Sequence, residues 1–204
     1  MPAVTGGIGV CHIYIDREAD VDMAVSVALN SKISRPYACN AVDTLLVHSA
    51  VAPACLPRLS AEFSMAGVEM RCDRRALSVL GQIDGHKAAP ATDEDWGNEF
   101  LSLTAAVKVV DSLEEALEHI DTYGSGHTEA IVSENYSAAM RFLDKVDSSV
   151  VLVNASTVFN DGGQLGLGAE VAISTNKMHA RGPMGLLELT SYKWTVLGTG
   201  QTRD

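Results

Sequence analysis

The sequence predicts an α/β fold with a mostly parallel sheet flanked by helices. The chain has 204 residues, of which 47% are hydrophobic, so it can bury a proper core. Short apolar, β-rich runs alternate with segments of helical periodicity, which is the pattern of β-α-β units. This alternation continues unchanged from the first half of the chain to the second, which favours one domain.

The predicted elements follow from local signals in chain order. Asp20 is a candidate N-cap before an apolar stripe, and Gly67 and Gly81 each end a helical pattern. Ser112 followed by Glu115 forms a capping-box pattern. Buried strands are predicted at residues 10–16, 44–48, 68–71, 101–110, 127–132 and 150–153. Helices are predicted at residues 20–30, 53–66, 74–80, 112–123 and 136–146.

Three segments depart from this alternation. Residues 82–98 are polar and predict a solvated surface loop. A glycine-rich segment begins at Asn154, directly after a buried strand, and it is either a ligand site at the carboxyl edge of the sheet or a flexible surface loop. Residues 189–197 predict an apolar terminal strand that pairs with another sheet or another subunit.

Composition excludes several classes of function. The formal net charge of −11 argues against nucleic acid as a partner, because a phosphate backbone requires clustered Lys and Arg. No apolar run reaches the roughly 20 residues of a membrane span and no leader pattern is present, so we expect a cytoplasmic protein with no membrane contact. The four cysteines form no C-x-x-C pair, so we expect reduced thiols and no metal site.

Cys39 is the candidate nucleophile among these cysteines. It follows Pro36 at the predicted start of a helix, and the partial positive charge of a helix N-terminus favours the reactive thiolate. The alternative is a buried thiol that serves as a small core hydrophobe. Arg181, in a run of tight turns, is a candidate cation for an anionic substrate group.

Five blocks of sequence, taken in order, resemble the γ-glutamyl phosphate reductase family of the aldehyde dehydrogenase superfamily. They include Gly-x-Gly-x-Cys-His-x-Tyr at residues 7–14, Arg-Pro-x-x-Cys-Asn-Ala from Arg35, and Tyr-Gly-Ser-Gly-His-Thr-Glu at residues 123–129. The remaining blocks lie at residues 154–170 and 173–183. The resemblance covers essentially the whole chain and matches the C-terminal half of such a reductase, which contains the catalytic domain.

The resemblance implies an activity. It implies NADPH-dependent reduction of γ-glutamyl phosphate to glutamate 5-semialdehyde with release of phosphate, a step of proline biosynthesis. The thiolate of Cys39 would attack the acyl phosphate and form a thioacyl intermediate. The implied partners are this small-molecule substrate and further copies of the chain in a homo-oligomer, with a functional link to glutamate 5-kinase.

The resemblance also implies roles for further residues. Glu99 and Phe100 correspond to the segment that contacts the nicotinamide ribose. The substrate-anchoring loop would contain Asn154, Ser156 and Thr157. Arg181 and Arg35 are candidates for the substrate carboxylate or the phosphate, and Arg35 is equally a candidate for a structural ion pair.

The implied domain organisation is incomplete, because members of this family are about twice as long. Residues 1–188 would form the catalytic domain, with residues 1–16 a candidate tail of the nucleotide-binding domain, and residues 189–204 an oligomerisation element. The chain lacks most of the nucleotide-binding half, so we expect poor or absent turnover by this chain alone. The alternative reading is a catalytically silent fragment, or an assembly domain, of the same family.

Overall fold

A seven-stranded parallel sheet forms the centre of the molecule. The computed structural model describes residues 6–81 and 87–204. The strands are β1 (Cys11–Ile15), β2 (Thr44–His48), β3 (Glu69–Cys72), β4 (Ala88–Pro90), β5 (Thr104–Val110), β6 (Thr128–Val132) and β7 (Val150–Val153). Their order across the sheet is β4-β3-β5-β2-β1-β6-β7, and every neighbouring pair is parallel. β1 therefore lies inside the sheet, between β2 and β6.

Helices cover both faces of this sheet. They are α1 (Val21–Ile33), α2 (Ala52–Met65), α3 (Arg74–Leu80), α4 (Leu113–Tyr123), α5 (Tyr136–Lys145) and the short α6 (Leu186–Leu189). Ile13 and Leu45 pack in one core cluster with α1, α2 and α3, whereas Tyr14 and Leu46 pack in a second cluster with α4 and α5. Successive strand residues point to opposite faces, so each strand supplies both clusters.

The capping signals of the sequence act as predicted. The Asp20 carboxylate accepts a hydrogen bond from the Met23 amide at 2.7 Å, and α1 starts at the next residue. The Ser112 hydroxyl accepts from the Glu115 amide at 3.1 Å at the start of α4. Gly67 follows α2 with φ +79°, a left-handed conformation that glycine adopts at little cost. The predicted α/β fold is confirmed, and the elements differ from the predicted bounds by only a few residues.

The polar segment at residues 82–98 is more ordered than predicted. Residues 82–86 lie outside the described part of the chain, and the segment then forms β4 and a 3-10 turn at Asp93–Asp95. β4 extends the sheet at its edge, where the Met70 amide donates to the Lys87 carbonyl at 2.8 Å. Its last residue is Pro90, which an edge strand tolerates because one side needs no donor. The polar composition of the segment thus did not predict β4, a strand of three residues.

The strand predicted at residues 189–197 does not form within the single chain, so its pairing with another subunit stays a prediction. The end of the chain after α6 has no regular secondary structure, and the side chains of Tyr192 and Trp194 are each 87% exposed. A strand needs a partner for its backbone hydrogen bonds, and the described part of the chain offers this segment none. Upstream, β8 (Ala172–Ser174) and β9 (Gly182–Met184) form a small antiparallel pair. Within the described ranges, no helix has the length and apolar character needed to cross a membrane.

Candidate functional site

Cys39 lies in a turn at the amino edge of the parallel sheet, between α1 and β2. The Ala38 amide donates to the Arg35 carbonyl and the Ala41 amide donates to the Ala38 carbonyl, both at 3.0 Å. These consecutive turns return the chain to β2 within a few residues, so the helix predicted to begin near Cys39 is not formed. That part of the prediction is wrong, and a helix N-terminus does not favour the thiolate.

The Cys39 turn rests directly on the residues that lead into β1. A Cβ atom placed on Gly9 would lie 2.4 Å from the Cys39 carbonyl oxygen and 2.7 Å from the Cys39 Cβ, both closer than atoms can approach. The Cys11 thiol donates to the same carbonyl oxygen at 3.1 Å. Glycine at position 9 therefore allows the turn to pack against the start of β1.

Exposure separates Cys39 from the other three cysteines. Cys11, Cys55 and Cys72 are buried, whereas Cys39 is partly exposed. Cys11 is thus part of the core. Partial burial, together with the carboxylates of Glu99 and Glu170, raises the pKa of the Cys39 thiol above its usual value. The thiol is accessible, but its surroundings within this chain favour the protonated form.

The glycine-rich segment does not stay at the carboxyl edge where it begins. At that edge, the side chain of Asn154 accepts from the Ser133 amide at 2.9 Å and donates to the Ser133 carbonyl at 3.0 Å. The chain then crosses to the amino edge, where the Asn160 side chain donates to the Thr128 hydroxyl at 2.7 Å. The Asn40 side chain donates to the Asn160 carbonyl at 3.0 Å. The segment thus meets the Cys39 turn at the edge opposite to the one expected.

The residues predicted to anchor substrate are spread along this crossing. Asn154 remains at the carboxyl edge, and Ser156 and Thr157 are buried against α1, where both contact the hydroxyl of Ser31 at 2.9 and 3.1 Å. Contact with the Cys39 turn comes instead from Asn160, which the sequence analysis did not single out. Its only sequence signal is its position in the Asn-Asp-Gly-Gly run at residues 160–163.

The two candidate arginines are both engaged in ion pairs. The Arg35 guanidinium lies 3.1 Å from the Asp161 carboxylate, which also accepts from the Gly163 amide at 2.8 Å. The Arg181 guanidinium lies 2.8 Å from the Asp147 carboxylate. Arg35 is attached to the same glycine-rich segment that meets the Cys39 turn, whereas Arg181 is held beside the residues that lead into β7.

The Glu99–Phe100 segment approaches the same edge of the sheet. The Phe100 amide donates to the carboxylate of Asp43 at 3.0 Å, and the charge of Glu99 acts on the Cys39 thiol. A partly exposed carboxylate near the thiol is a suitable acceptor for the hydroxyl groups of a ribose. The contact of Glu99 with a nicotinamide ribose stays a prediction.

Three histidines are packed inside the protein, namely His12, His119 and His127. The Nδ1 atom of His12 lies 2.9 Å from the Glu129 carboxylate, and both side chains are buried. His119 packs between His12, Trp96 and Tyr123, and burial lowers its pKa to about 3. His12 and His119 thus both have side-chain partners inside the protein.

His127 belongs to the same buried set. Burial lowers its pKa to about 4, and its Nδ1 atom lies 2.7 Å from the Thr128 hydroxyl. Its Nδ1 atom is also 3.6 Å from the Cys11 thiol. Within the described ranges, no group of three or more His, Cys, Asp or Glu side chains could hold a metal ion.

Comparison with known proteins identifies homologues over the full length of the chain. No family model matches the chain. A protein of Dehalococcoides mccartyi strain CBDB1 named gamma-glutamyl phosphate reductase is 62% identical over 203 residues, which are 100% of this chain and 48% of the relative. A protein of the same name from Roseiflexus castenholzii is 53% identical over 205 residues, again covering 48% of the relative.

Solved structures are also similar to this chain over nearly its whole length. The crystal structure of gamma-glutamyl phosphate reductase from Thermotoga maritima superposes with a TM-score of 0.87 at 47% identity, over 98% of this chain and 47% of that chain. An acetylating aldehyde dehydrogenase from Geobacillus thermoglucosidasius shares the fold, with a TM-score of 0.72 at 19% identity over 100% of this chain and 53% of that one. The chain spans about half the length of the curated relatives that it matches. Along its whole length the chain is therefore similar to about half of a gamma-glutamyl phosphate reductase.

Proposed function

We propose that this chain carries the nucleophile of a γ-glutamyl phosphate reductase, with Cys39 as the attacking thiol. The observation that carries the proposal is the accessibility of Cys39, which is the one cysteine of the four that is not buried. It sits in a turn fixed on both sides, by Gly9 and Cys11 of the β1 end and by Asn160 of the glycine-rich segment. A thiol that is accessible yet rigidly held is suited to covalent catalysis.

The reaction would be the reduction of γ-glutamyl phosphate to glutamate 5-semialdehyde, a step of proline biosynthesis. The Cys39 thiolate would attack the acyl carbon, phosphate would leave, and a thioester on Cys39 would result. The backbone N–H of Cys39 is a candidate donor to the oxyanion that forms during this attack. Arg35, at the mouth of the site, would exchange Asp161 for the phosphate or carboxylate of the substrate.

The cofactor that suits this reaction is NADPH, which when bound supplies a hydride. Glu99 would accept hydrogen bonds from its nicotinamide ribose, and Phe100 would hold Glu99 in place through its amide contact with Asp43. A nucleotide of this class is also supported by a protein of similar fold, the 1-pyrroline-5-carboxylate dehydrogenase from Thermus, whose crystal structure contains bound NAD. We further propose a cytoplasmic location and a functional link to glutamate 5-kinase, whose product is this substrate.

The direct test is NADPH oxidation with γ-glutamyl phosphate generated in situ by a glutamate kinase. We expect Cys39→Ser to abolish whatever oxidation the chain supports, and Cys55→Ala, which changes a buried cysteine of α2, to retain it. Equal and measurable activity of the wild type and Cys39→Ser would refute the assignment of the nucleophile, whereas no activity in either protein would favour a fragment that depends on its missing domain. Activity that appears only after addition of the remaining half of a related reductase would assign the reaction to the combined protein.

A second reading is a catalytically silent half that acts in assembly, and two observations favour it. The pKa of the Cys39 thiol is raised rather than lowered by its surroundings. The end of the chain also presents Tyr192, Trp194 and Val196 at alternate positions, all strongly exposed. Alternate apolar side chains would face one side of a strand if a second copy supplied its hydrogen-bonding partner. In either reading we propose residues 189–204 as the oligomerisation element, and in the reductase reading we propose residues 1–188 as the catalytic domain.

Iodoacetamide distinguishes the two readings. A nucleophile should react much faster than Cys11, Cys55 and Cys72, whereas a silent thiol should differ from them only as far as its exposure allows. Peptide mass spectrometry measures the rate of each cysteine in a single sample. Sedimentation of the wild type and of Trp194→Ser tests the role of the chain end in assembly.

A further inference from the structure

Asp43 occupies the junction between three segments of the site. It immediately precedes β2 and lies four positions after Cys39 in the sequence, and only 2% of it is exposed. Its backbone amide donates to the Cys11 carbonyl at 2.9 Å, and its own carbonyl accepts from the Ala106 amide at 2.7 Å. The backbone of Asp43 is thus fixed between β1 and β5, so its side chain has a defined direction.

The carboxylate of Asp43 holds two backbone amides that are distant in sequence. One oxygen accepts from the Cys11 amide at 3.2 Å and the other accepts from the Phe100 amide at 3.0 Å. Cys11 in turn donates its thiol to the Cys39 carbonyl at 3.1 Å. One buried carboxylate therefore connects the Cys39 turn, through Cys11, with the Glu99–Phe100 segment.

Lys32 supplies the opposite charge from the last turn of α1. Its side chain is completely buried, with Nζ 3.9 Å from the Asp43 carboxylate and 6.0 Å from the centre of the Phe100 ring. Nζ makes no hydrogen bond to the described residues. Burial lowers the pKa of Lys32, and burial raises the pKa of Asp43 to about 6. Phe100 is therefore held twice, through its amide by Asp43 and through its ring by Lys32.

A buried ion pair with so few hydrogen bonds is a poor way to stabilise a fold. Apolar side chains of similar volume often stabilise a protein as well or better, because they carry no desolvation cost. The value of Lys32 and Asp43 must then lie in the geometry that they impose. We propose that Asp43 and Lys32 are positioning residues, which hold the Glu99–Phe100 segment in a fixed relation to the Cys39 thiol; this extends the function proposed above.

The test separates geometry from stability by comparing single and double substitutions. Asp43→Asn and Lys32→Met each leave a buried group without its partner, so both should lower the melting temperature. The double variant Lys32→Met/Asp43→Leu leaves no unpaired charge, so its melting temperature should recover toward that of the wild type, short of it by the cost of the Cys11 and Phe100 amides that lose their acceptor. It still lacks an acceptor for the Phe100 amide, so the segment should remain loose.

Two readouts report the geometry without requiring catalysis. In the double variant, hydrogen exchange of the Phe100 amide, measured by NMR, should be at least about tenfold faster than in the wild type. The midpoint of the pH profile for Cys39 alkylation should fall as well, because the double variant removes the charge of Asp43 and loosens Glu99, and both carboxylates oppose the thiolate. A fall of about half a pH unit makes alkylation at pH 7 about threefold faster.

Asp73 offers a matched control. Its carboxylate also accepts from two backbone amides, those of Ala76 at 2.7 Å and Val109 at 3.2 Å, but at the opposite edge of the sheet. Asp73→Leu should lower the melting temperature and leave both the Phe100 exchange rate and the Cys39 pH profile unchanged. If Asp73→Leu shifted the two readouts as the double variant does, they would report general loosening and the proposal would be overturned.

The outcomes are distinct. A double variant with restored stability, fast Phe100 exchange and a shifted Cys39 profile supports the positioning role. A double variant that matches the wild type in all three measurements overturns it, since the pair would then be purely structural. If the double variant does not fold, Asp43→Asn is judged by the same two readouts against Asp73→Leu. An unreactive Cys39 in the wild type counts against the proposed nucleophile, while Phe100 exchange still decides the role of Asp43.

Discussion

Replacing Gly9 with alanine tests the packing of the Cys39 turn on the start of β1. The added Cβ would lie 2.4 Å from the Cys39 carbonyl oxygen, whereas ordinary van der Waals contact begins at about 3.4 Å. The turn must therefore move by about 1 Å, and both colliding groups belong to backbone or to a Cβ, which cannot rotate away. Overpacking of this kind costs about 1–3 kcal/mol of unfolding free energy.

Urea denaturation measures that cost. The free energy of unfolding falls by about 2 kcal/mol per molar urea, so a loss of about 2 kcal/mol lowers the urea concentration at the unfolding midpoint by about 1 M. The shift also loosens the turn that partly buries the Cys39 thiol, and less burial lowers the pKa of that thiol, so we expect iodoacetamide to alkylate Cys39 faster in Gly9→Ala than in the wild type.

Gly7→Ala is the control, because the same atom added two residues earlier would meet only the Thr175 hydroxyl, at 3.6 Å. We expect its denaturation midpoint and its rate of Cys39 alkylation to match those of the wild type. Equal denaturation midpoints for Gly9→Ala and Gly7→Ala would refute the close approach of the turn to β1.

Three further predictions concern the fold. The pKa of His119 is about 3 in the folded protein, so as the pH falls below about 6.5 its imidazole takes up a proton in the unfolded state but not in the folded state. Between pH 7 and pH 5 the wild type should therefore lose about 2 kcal/mol more unfolding free energy than His119→Phe. Equal losses in urea titrations at the two pH values would contradict this. Asp20→Ala removes the acceptor of the Met23 amide and should cost about 1 kcal/mol by the same measurement. Phe142→Ala empties a fully buried site and should cost about 3–5 kcal/mol, whereas Tyr136→Ala, on the exposed side of the same helix, should stay within about 0.5 kcal/mol of the wild type.

The sequence was sufficient for elements whose signals are local. Asp20 and Ser112 mark helix starts because their side chains bond to amides three residues ahead, and Gly67 marks a helix end because it adopts a left-handed conformation. Short apolar, β-rich runs likewise located the six longer strands. Each of these signals is contained within a few residues, so a single sequence displays it in full.

The site was harder to predict because its contacts join distant parts of the chain. Asn40 and Asn160 are 120 positions apart, and nothing near either residue indicates the other. The crossing of the glycine-rich segment to the amino edge depends on such contacts, so a rule about carboxyl edges of open sheets did not predict that this segment meets the Cys39 turn. The local pattern at Cys39 favoured a helix, but the short distance from α1 to β2 requires a turn.

The order of strands in the sheet has a consequence for synthesis of the protein. β1 leaves the ribosome well before β6, yet the two strands pair, with Ile15 opposite Val132. At about 5–20 residues per second, translation needs about 10 s to produce the intervening chain. During that interval one edge of β1 has backbone donors and acceptors without their final neighbour, and parallel pairing over such a separation is slow to form. Substitutions in β6 should therefore reduce the yield of soluble protein during expression more than they reduce the stability of the finished molecule.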